Sequence, residues 1–169
     1  MLSGHNGSGK TMLLRMISGL INPDKGSIEY NGKKSFGVII ENPTFFLNES
    51  AIYNLRFLAS INNDIKDEEI ITWLKIFNLY EFKNKLVKSF SLGMKQRLAL
   101  CQAFMENPDI LLLDEPFNGI DEENLKNIYD ILQKEKGKNK IIVIASHVHI
   151  PVEGLVDTYI NMSDGKIIV

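Results

Sequence analysis

The sequence predicts an α/β fold: a mostly parallel sheet with helices on both faces, into which an all-helical segment is inserted. Two observations predict it. The runs 110–113 (ILLL) and 141–145 (IIVIA) are apolar without alternation, as in strands covered on both sides. Around and between them lie stretches whose apolar residues recur three and four apart, the spacing of helices that bury one face.

In chain order, residues 12–20 read as a helix carrying Leu13, Ile17 and Leu20, and the turn NPDKG at 22–26 ends it. Segments 27–30 and 34–40 read as short strands joined through Asn31-Gly32, a strong hairpin signal, and Glu41-Asn42-Pro43 then bends the chain. Over 50–62, Ile52, Leu55, Leu58, Ala59 and Ile61 keep near-helical spacing, with Asn48 or Ser50 available as cap. A second helix, 67–77, opens with Asp67, Glu68 and Glu69 at the positive end of its dipole. A third, 92–105, follows Ser91. Beyond Asn107-Pro108-Asp109 come strand 110–113, helix 122–136 behind an Asp121 cap, strand 140–145 and a short helix at 151–156. Strands 158–162 and 166–169, joined by Ser163-Asp164-Gly165, complete the chain. The single domain thus divides into an α/β core, 1–44 and 107–169, and a helical subdomain, 45–106.

With 169 residues and 44% apolar content, the chain can bury a real core. A net charge of -2 gives no global reason to expect a nucleic-acid partner. Cys101 is the only cysteine, which excludes an internal disulfide and suits a small buried residue on a helix. The longest apolar runs are too short to span a bilayer, and no secretory pattern precedes residue 4.

The chemistry begins at residues 4–11, GHNGSGKT, two glycines four apart followed by Lys and Thr. A chance match in a chain of this size has odds of about one in a hundred. Gly4, Gly7 and Gly9 allow backbone N–H groups to curl around a polyphosphate. Lys10 supplies a point charge and Thr11 a hydroxyl for Mg²⁺, while the following helix N-terminus adds partial positive charge. The pattern predicts the core of a P-loop nucleoside triphosphatase. The run ILLLDEP, 110–116, then puts Asp114 and Glu115 at the carboxyl end of a buried strand, where open α/β sheets place ligands. Both could simply cap the next turn. Beside a phosphate loop, Asp114 fits a Mg²⁺ ligand and Glu115 a general base for water.

The phosphate loop, SLGMKQR at 91–97, ILLLDEP, NGID at 118–121 and Ser146-His147 stand in the order found in ATP-binding cassette (ABC) ATPases. Over nearly its whole length the chain resembles the nucleotide-binding subunit of an ABC transporter. The resemblance implies ATP and Mg²⁺ as cofactors. Gly4, His5, Asn6, Gly7, Ser8, Gly9, Lys10, Thr11 and Met12 would hold the nucleotide, although the imidazoles of His5 and His149 match no functional position. Thr11, Asp114 and Glu41 would face the metal. Glu115 would be the base, and His147 the switch histidine that touches the γ-phosphate and steadies Glu115 and the water. Ser91 and Gly93 would reach, in trans, the γ-phosphate bound by a second subunit; Asp121 resembles a dimer-contact turn as well as a cap.

Three departures stand out. Leu92 replaces a glycine of the family signature, and Glu41 replaces its coupling glutamine, adding negative charge beside a triphosphate. Both departures resemble the branch of exporters handling bacitracin and lantibiotic-type peptides. Third, the family's upstream strands and its adenine-stacking aromatic have no counterpart, so the domain is expected to be incomplete at the N-terminus. A lost stacking contact of about 1–3 kcal/mol would lower nucleotide affinity by about one to two decades.

The implied function is an ATP-hydrolysing subunit, peripheral on the cytoplasmic face of the cell membrane, that powers export through a separate integral-membrane permease. A second copy is the expected ATPase partner, and the permease is expected to dock on 42–46 and the helical subdomain. Phe45, Phe46 and Leu47 form an apolar cluster there, of which at least one could equally be core. Two other classes are considered: an impaired fragment or regulatory nucleotide-binding module, and a soluble ABC ATPase acting on ribosomes or DNA. The latter usually carries tandem cassettes or long coiled coils, and neither is visible.

Overall fold

The structure, a computed structural model, describes residues 1–41, 44–62, 65–147 and 154–168. A continuous apolar strand needs cover on both faces, and β3 (Ile110–Asp114) has it, with every residue buried. It pairs in parallel with β2 (Phe36–Ile39), from Phe36 opposite Ile110 to Ile39 opposite Leu113. On its other side it pairs in parallel with β4 (Ile141–Ala145), from Ile110–Ile141 to Asp114–Ala145. The sheet continues through β1 (Leu2–Ser3), β5 (Ile160–Ser163) and β6 (Lys166–Ile168), in the order β2-β3-β4-β1-β5-β6. Only β5 and β6, a hairpin, run antiparallel.

Successive strand residues point to opposite faces, and the core follows that alternation. Ile110 and Leu112 pack with Leu14 of α1 (Lys10–Ile17) on one face. Leu111 and Leu113 join the larger core on the other. That core draws Leu55 from α2 (Ala51–Asn62), Leu74 from α3 (Asp67–Ile76), Leu100 from α4 (Leu92–Met105) and Leu132 from α5 (Glu122–Lys136). Helices therefore cover both faces, as the apolar strands require. Trp73, Phe77 and Phe104 pin α3 to α4, their ring centroids 5.3 to 5.8 Å apart. Cys101 lies buried beside them, and desolvation pushes its thiol far above its ordinary pKa.

The caps fall where short polar side chains can accept orphan N–H groups. Ser91 Oγ accepts Met94 N–H at 3.2 Å, Asp121 Oδ1 accepts Asn124 N–H at 3.0 Å, and Ser50 Oγ accepts Tyr53 N–H at 3.2 Å. Asn48, the other candidate cap, instead accepts from Lys88 Nζ at 3.3 Å.

Several expectations are corrected. Helix α1 starts at Lys10 and stops at Ile17, leaving Leu20 65% exposed. Residues 27–30 form no strand and hence no hairpin at Asn31-Gly32. That segment is exposed throughout, and a two-stranded hairpin with no face to bury is marginal in water. Tyr30 instead lays its ring edge-on against Phe36 and donates its hydroxyl to Ile17 O. The strand over 34–40 shortens to Phe36–Ile39, and that over 158–162 starts at Ile160. The helix expected at 151–156 falls partly outside the described residues, and 154–156 are turn and coil.

Strand β1 has two residues, yet it sits inside the sheet. Leu2 pairs with both Ala145 and Ile160, and Ser3 with Asn161. Ser146 N–H donates to Leu2 O at 3.0 Å and Ile160 N–H to Met1 O at 2.8 Å. Beside β1, between β4 and 155–160, a cavity of about 350 Å³ is lined by Ile142, Ile144, Leu155, Val156 and Ile160 among others.

Truncating Phe104, which is 1% exposed, leaves a void between α3 and α4. Phe104→Ala should lower unfolding free energy by about 3–5 kcal/mol. Urea titration followed through Trp73, the chain's one tryptophan, measures this.

Candidate functional site

The order β3-β4-β1 places three carboxyl ends side by side, and each continues into polar residues. From β1 the chain enters the glycine loop at 4–9. Gly4, at φ 154°, has no room for a side chain: a Cβ would lie 2.2 Å from Met162 O. Gly9 takes φ 102° at the start of α1, a left-handed conformation that suits glycine. The loop is held by the β5–β6 hairpin, whose Gly165 N–H donates to Ser8 O at 3.0 Å.

Lys10 is 6% exposed and folds back over the loop, donating Nζ–H to Gly4 O at 2.7 Å and His5 O at 3.1 Å. Ser8 Oγ is buried and has no hydrogen-bond partner among the described residues. An unpartnered buried hydroxyl and an ammonium lying on the carbonyls of the same glycine loop suit an anion with several oxygens. Thr11 Oγ1–H donates to Asp114 Oδ2 at 2.6 Å, and the pair offers adjacent oxygens to a hard cation. Among the described residues no three His, Cys, Asp or Glu side chains gather as a metal cluster. Such a cation would need further oxygens from phosphate or water.

Glu115 follows at φ 45°, an uncommon conformation for a residue with a side chain. Its N–H donates to Ala145 O at 2.8 Å. Its carboxylate is fixed from the end of β4: Ser146 Oγ–H donates at 3.2 Å, His147 N–H at 3.0 Å and His147 Nδ1–H at 2.8 Å. A carboxylate only accepts, so the imidazole proton on this bond sits at Nδ1.

The other predicted residues lie around this centre. Glu41, at φ 61°, ion-pairs with Arg15 on α1, so its carboxylate is engaged there and not by Thr11 or Asp114. His5 contacts Asn6 O at 2.8 Å and Ser163 Oγ at 3.3 Å, which occupies its imidazole with the loop and hairpin. Met12 is half exposed. Ser91 and Gly93 open α4, and Leu92 between them is 59% exposed. Asp121 caps α5, and the Asn124 N–H bond holds its carboxyl below the usual range. His149 lies outside the described residues.

Three residues or turns contribute to the site without having a role there from sequence: Arg15, Gln96, which stands within the 91–97 segment, and the Ser163–Gly165 turn, which reads only as a strand connection. Gln96 is 5% exposed and donates Nε2–H to Glu115 O at 3.3 Å. Arg15 sits five residues after Lys10 on one helix, but nothing in its spacing singles out Glu41 as partner.

Residues 1–118 match the sequence model of the family described as ABC transporter. The chain is 43% identical to the uncharacterized ABC transporter ATP-binding protein YybJ of Bacillus subtilis (strain 168), over 98% of this chain and 80% of that one. It is 39% identical to the bacitracin transport ATP-binding protein BcrA of Bacillus licheniformis, over 98% of this chain and 58% of that one. For the lantibiotic transport ATP-binding protein SrtF of Streptococcus pyogenes the identity is 33%, over 99% and 76%. Among solved structures, an ATP-binding subunit of an ABC transporter superposes with a TM-score of 0.87 at 26% identity, covering 98% of this chain and 75% of that one. The chain belongs to the ABC transporter family, as a nucleotide-binding subunit of the ABC ATPase class.

The Thr11–Asp114 bond gives a test that needs no ligand. Thr11→Val keeps the shape and leaves a buried carboxylate short of its donor, so the ligand-free protein should lose about 1–3 kcal/mol of stability. Chemical denaturation at neutral pH measures the loss.

Proposed function

We propose that the chain binds ATP with Mg²⁺ at the glycine loop, hydrolyses it, and thereby drives export of a peptide antibiotic, a lantibiotic or another drug-like compound through a separate integral-membrane permease. One observation carries the catalytic reading: Lys10, Thr11 and Asp114 stand beside Glu115 and His147 at the ends of three neighbouring strands.

Lys10, Ser8 and the loop amides bind the phosphates, with Gly4, His5, Asn6, Gly7, Gly9 and Met12 completing the nucleotide contacts. Thr11 and Asp114 hold Mg²⁺, which neutralises phosphate charge when bound; the contact of these two oxygens supports that assignment. Glu41, which ion-pairs with Arg15, would supply a further oxygen to that cation once released. Glu115 takes the proton of the attacking water as its oxygen bonds to the γ-phosphorus and the bond to the bridging oxygen breaks. His147 orients that carboxylate through Nδ1–H.

The capped start of α4 supports an anion site at Ser91 and Gly93, supplied to the nucleotide of a second copy in a homodimer. The core at 1–44 and 107–169 then carries the catalytic half, and the helical segment at 45–106 the signature half. No described helix is long and apolar enough to cross a membrane, which supports a separate permease. Phe45 is buried, whereas Phe46, Tyr53 and Phe57 form an exposed edge-to-face cluster suited to the permease contact. Attachment is thus peripheral, at the cytoplasmic face. Similarity to BcrA and SrtF, with Glu41 and Leu92 in place of glutamine and glycine, supports peptide export.

The alternative reading is a nucleotide-binding module with impaired turnover. Glu115→Gln separates the two readings. With MgATP it should accumulate a dimer by size-exclusion chromatography while hydrolysis falls by at least about a hundredfold. Unchanged hydrolysis removes Glu115 as base, and a folded wild type with neither dimer nor turnover supports the module.

A further inference from the structure

We propose that Gln96 is a positioning residue for hydrolysis: its buried amide holds the main chain of Glu115 and ties the hydrolytic carboxylate to the first turns of α4. The proposal rests on Glu115 being the general base.

Glu115 is the point where the catalytic geometry is costly to maintain. A non-glycine residue at φ 45° persists only where its surroundings hold it. Three sets of bonds do so. Glu115 N–H is anchored to Ala145 O, and the carboxylate is anchored by Ser146 and His147. Glu115 O accepts from Asn118 N–H at 3.3 Å and from Gln96 Nε2–H at 3.3 Å. The first two sets come from the last residue of β4 and the two residues that follow it. The Gln96 bond alone reaches Glu115 from α4, the helix whose first turn carries Ser91 and Gly93.

The seating of that helix leaves little slack. A Cβ on Gly93 would lie 2.3 Å from Gly119 O, and one on Gly119 would lie 2.7 Å from Leu92 Cδ2. The first turn of α4 therefore rests on the turn that follows Glu115, with backbone against backbone. Gln96 is one turn further along the same helix, so a shift of α4 carries its amide away from the Glu115 carbonyl. Ser91 and Gly93 serve the nucleotide of the second copy, whereas Glu115 serves its own subunit. Gln96 is then the link by which engagement of α4 across the dimer sets the base in its own site.

The test uses the full chain with MgATP. Gln96→Leu keeps a branched side chain in the buried position, one atom shorter in reach, and removes the donor. Single-turnover hydrolysis should slow about three- to tenfold, the yield of one lost hydrogen bond expressed as rate, while MgATP-dependent dimerisation stays within about twofold. In the Glu115→Gln background the same change should slow the residual reaction no further, since both variants remove one function. Unchanged hydrolysis overturns the proposal. So does equal slowing in both backgrounds, which would mean that Gln96 acts independently of Glu115, and so does lost dimerisation that accounts for the slower rate. If Gln96→Leu fails to fold, Gln96→Glu replaces it, because a carboxylate at the same reach cannot donate. Failure of both to fold makes the role structural and overturns the proposal. Should Glu115→Gln alone leave hydrolysis unchanged, the general-base reading falls first. Slowing by Glu115→Gln without slowing by Gln96→Leu removes only the Gln96 link.

Discussion

A single row of ladder pairs, Asp114 to Ala145 to Leu2, governs the architecture of the site. Because the three strands are parallel and in this register, their carboxyl ends finish at one level. The glycine loop, the Asp114–Glu115 pair and Ser146–His147 consequently share one rim. A one-residue slip of β4 would exchange its inward and outward faces and carry Ser146 and His147 away from Glu115. Strand β1 contributes only two residues, but they bridge β4 and β5 and so fix the start of the loop.

The charges on this rim are arranged in separate pairs. Lys10 lies over loop carbonyls, Thr11 caps one oxygen of Asp114, and His147 and Ser146 hold Glu115. Glu41 is matched by Arg15. An acidic residue beside a triphosphate is unfavourable unless its charge is balanced, and the guanidinium on α1 supplies that balance. The same Arg15 stands on the helix that begins at Lys10, so the loop and Glu41 are mechanically joined.

Sequence patterns exposed most of this because most of it is local. Ser91 and Asp121 announce their helices through capping chemistry, 110–113 reads as a strand buried on both faces, and GHNGSGKT carries its conformation in its glycines. The segment 27–30 misled for the converse reason: Asn31-Gly32 permits a hairpin, but Ile28 and Tyr30 find no surface to bury. Contacts between distant residues left no periodic trace. Helix α4 is buried on nearly every side, so no polar stripe marks Gln96 as turned inward toward Glu115. The double pairing of Leu2 is likewise a property of the sheet and not of the three residues ahead of the loop.

The central claim is that this rim is one nucleotide site anchored by Lys10. Isothermal titration of MgATP into the wild-type chain and into Lys10→Ala tests it most directly. Saturable binding at one site per chain, weakened at least about tenfold by the substitution, is the predicted result, because the loop would lose a charge-assisted contact worth about 1.5–3 kcal/mol. Equal affinity in the two proteins, or no binding to a folded wild type, would contradict it.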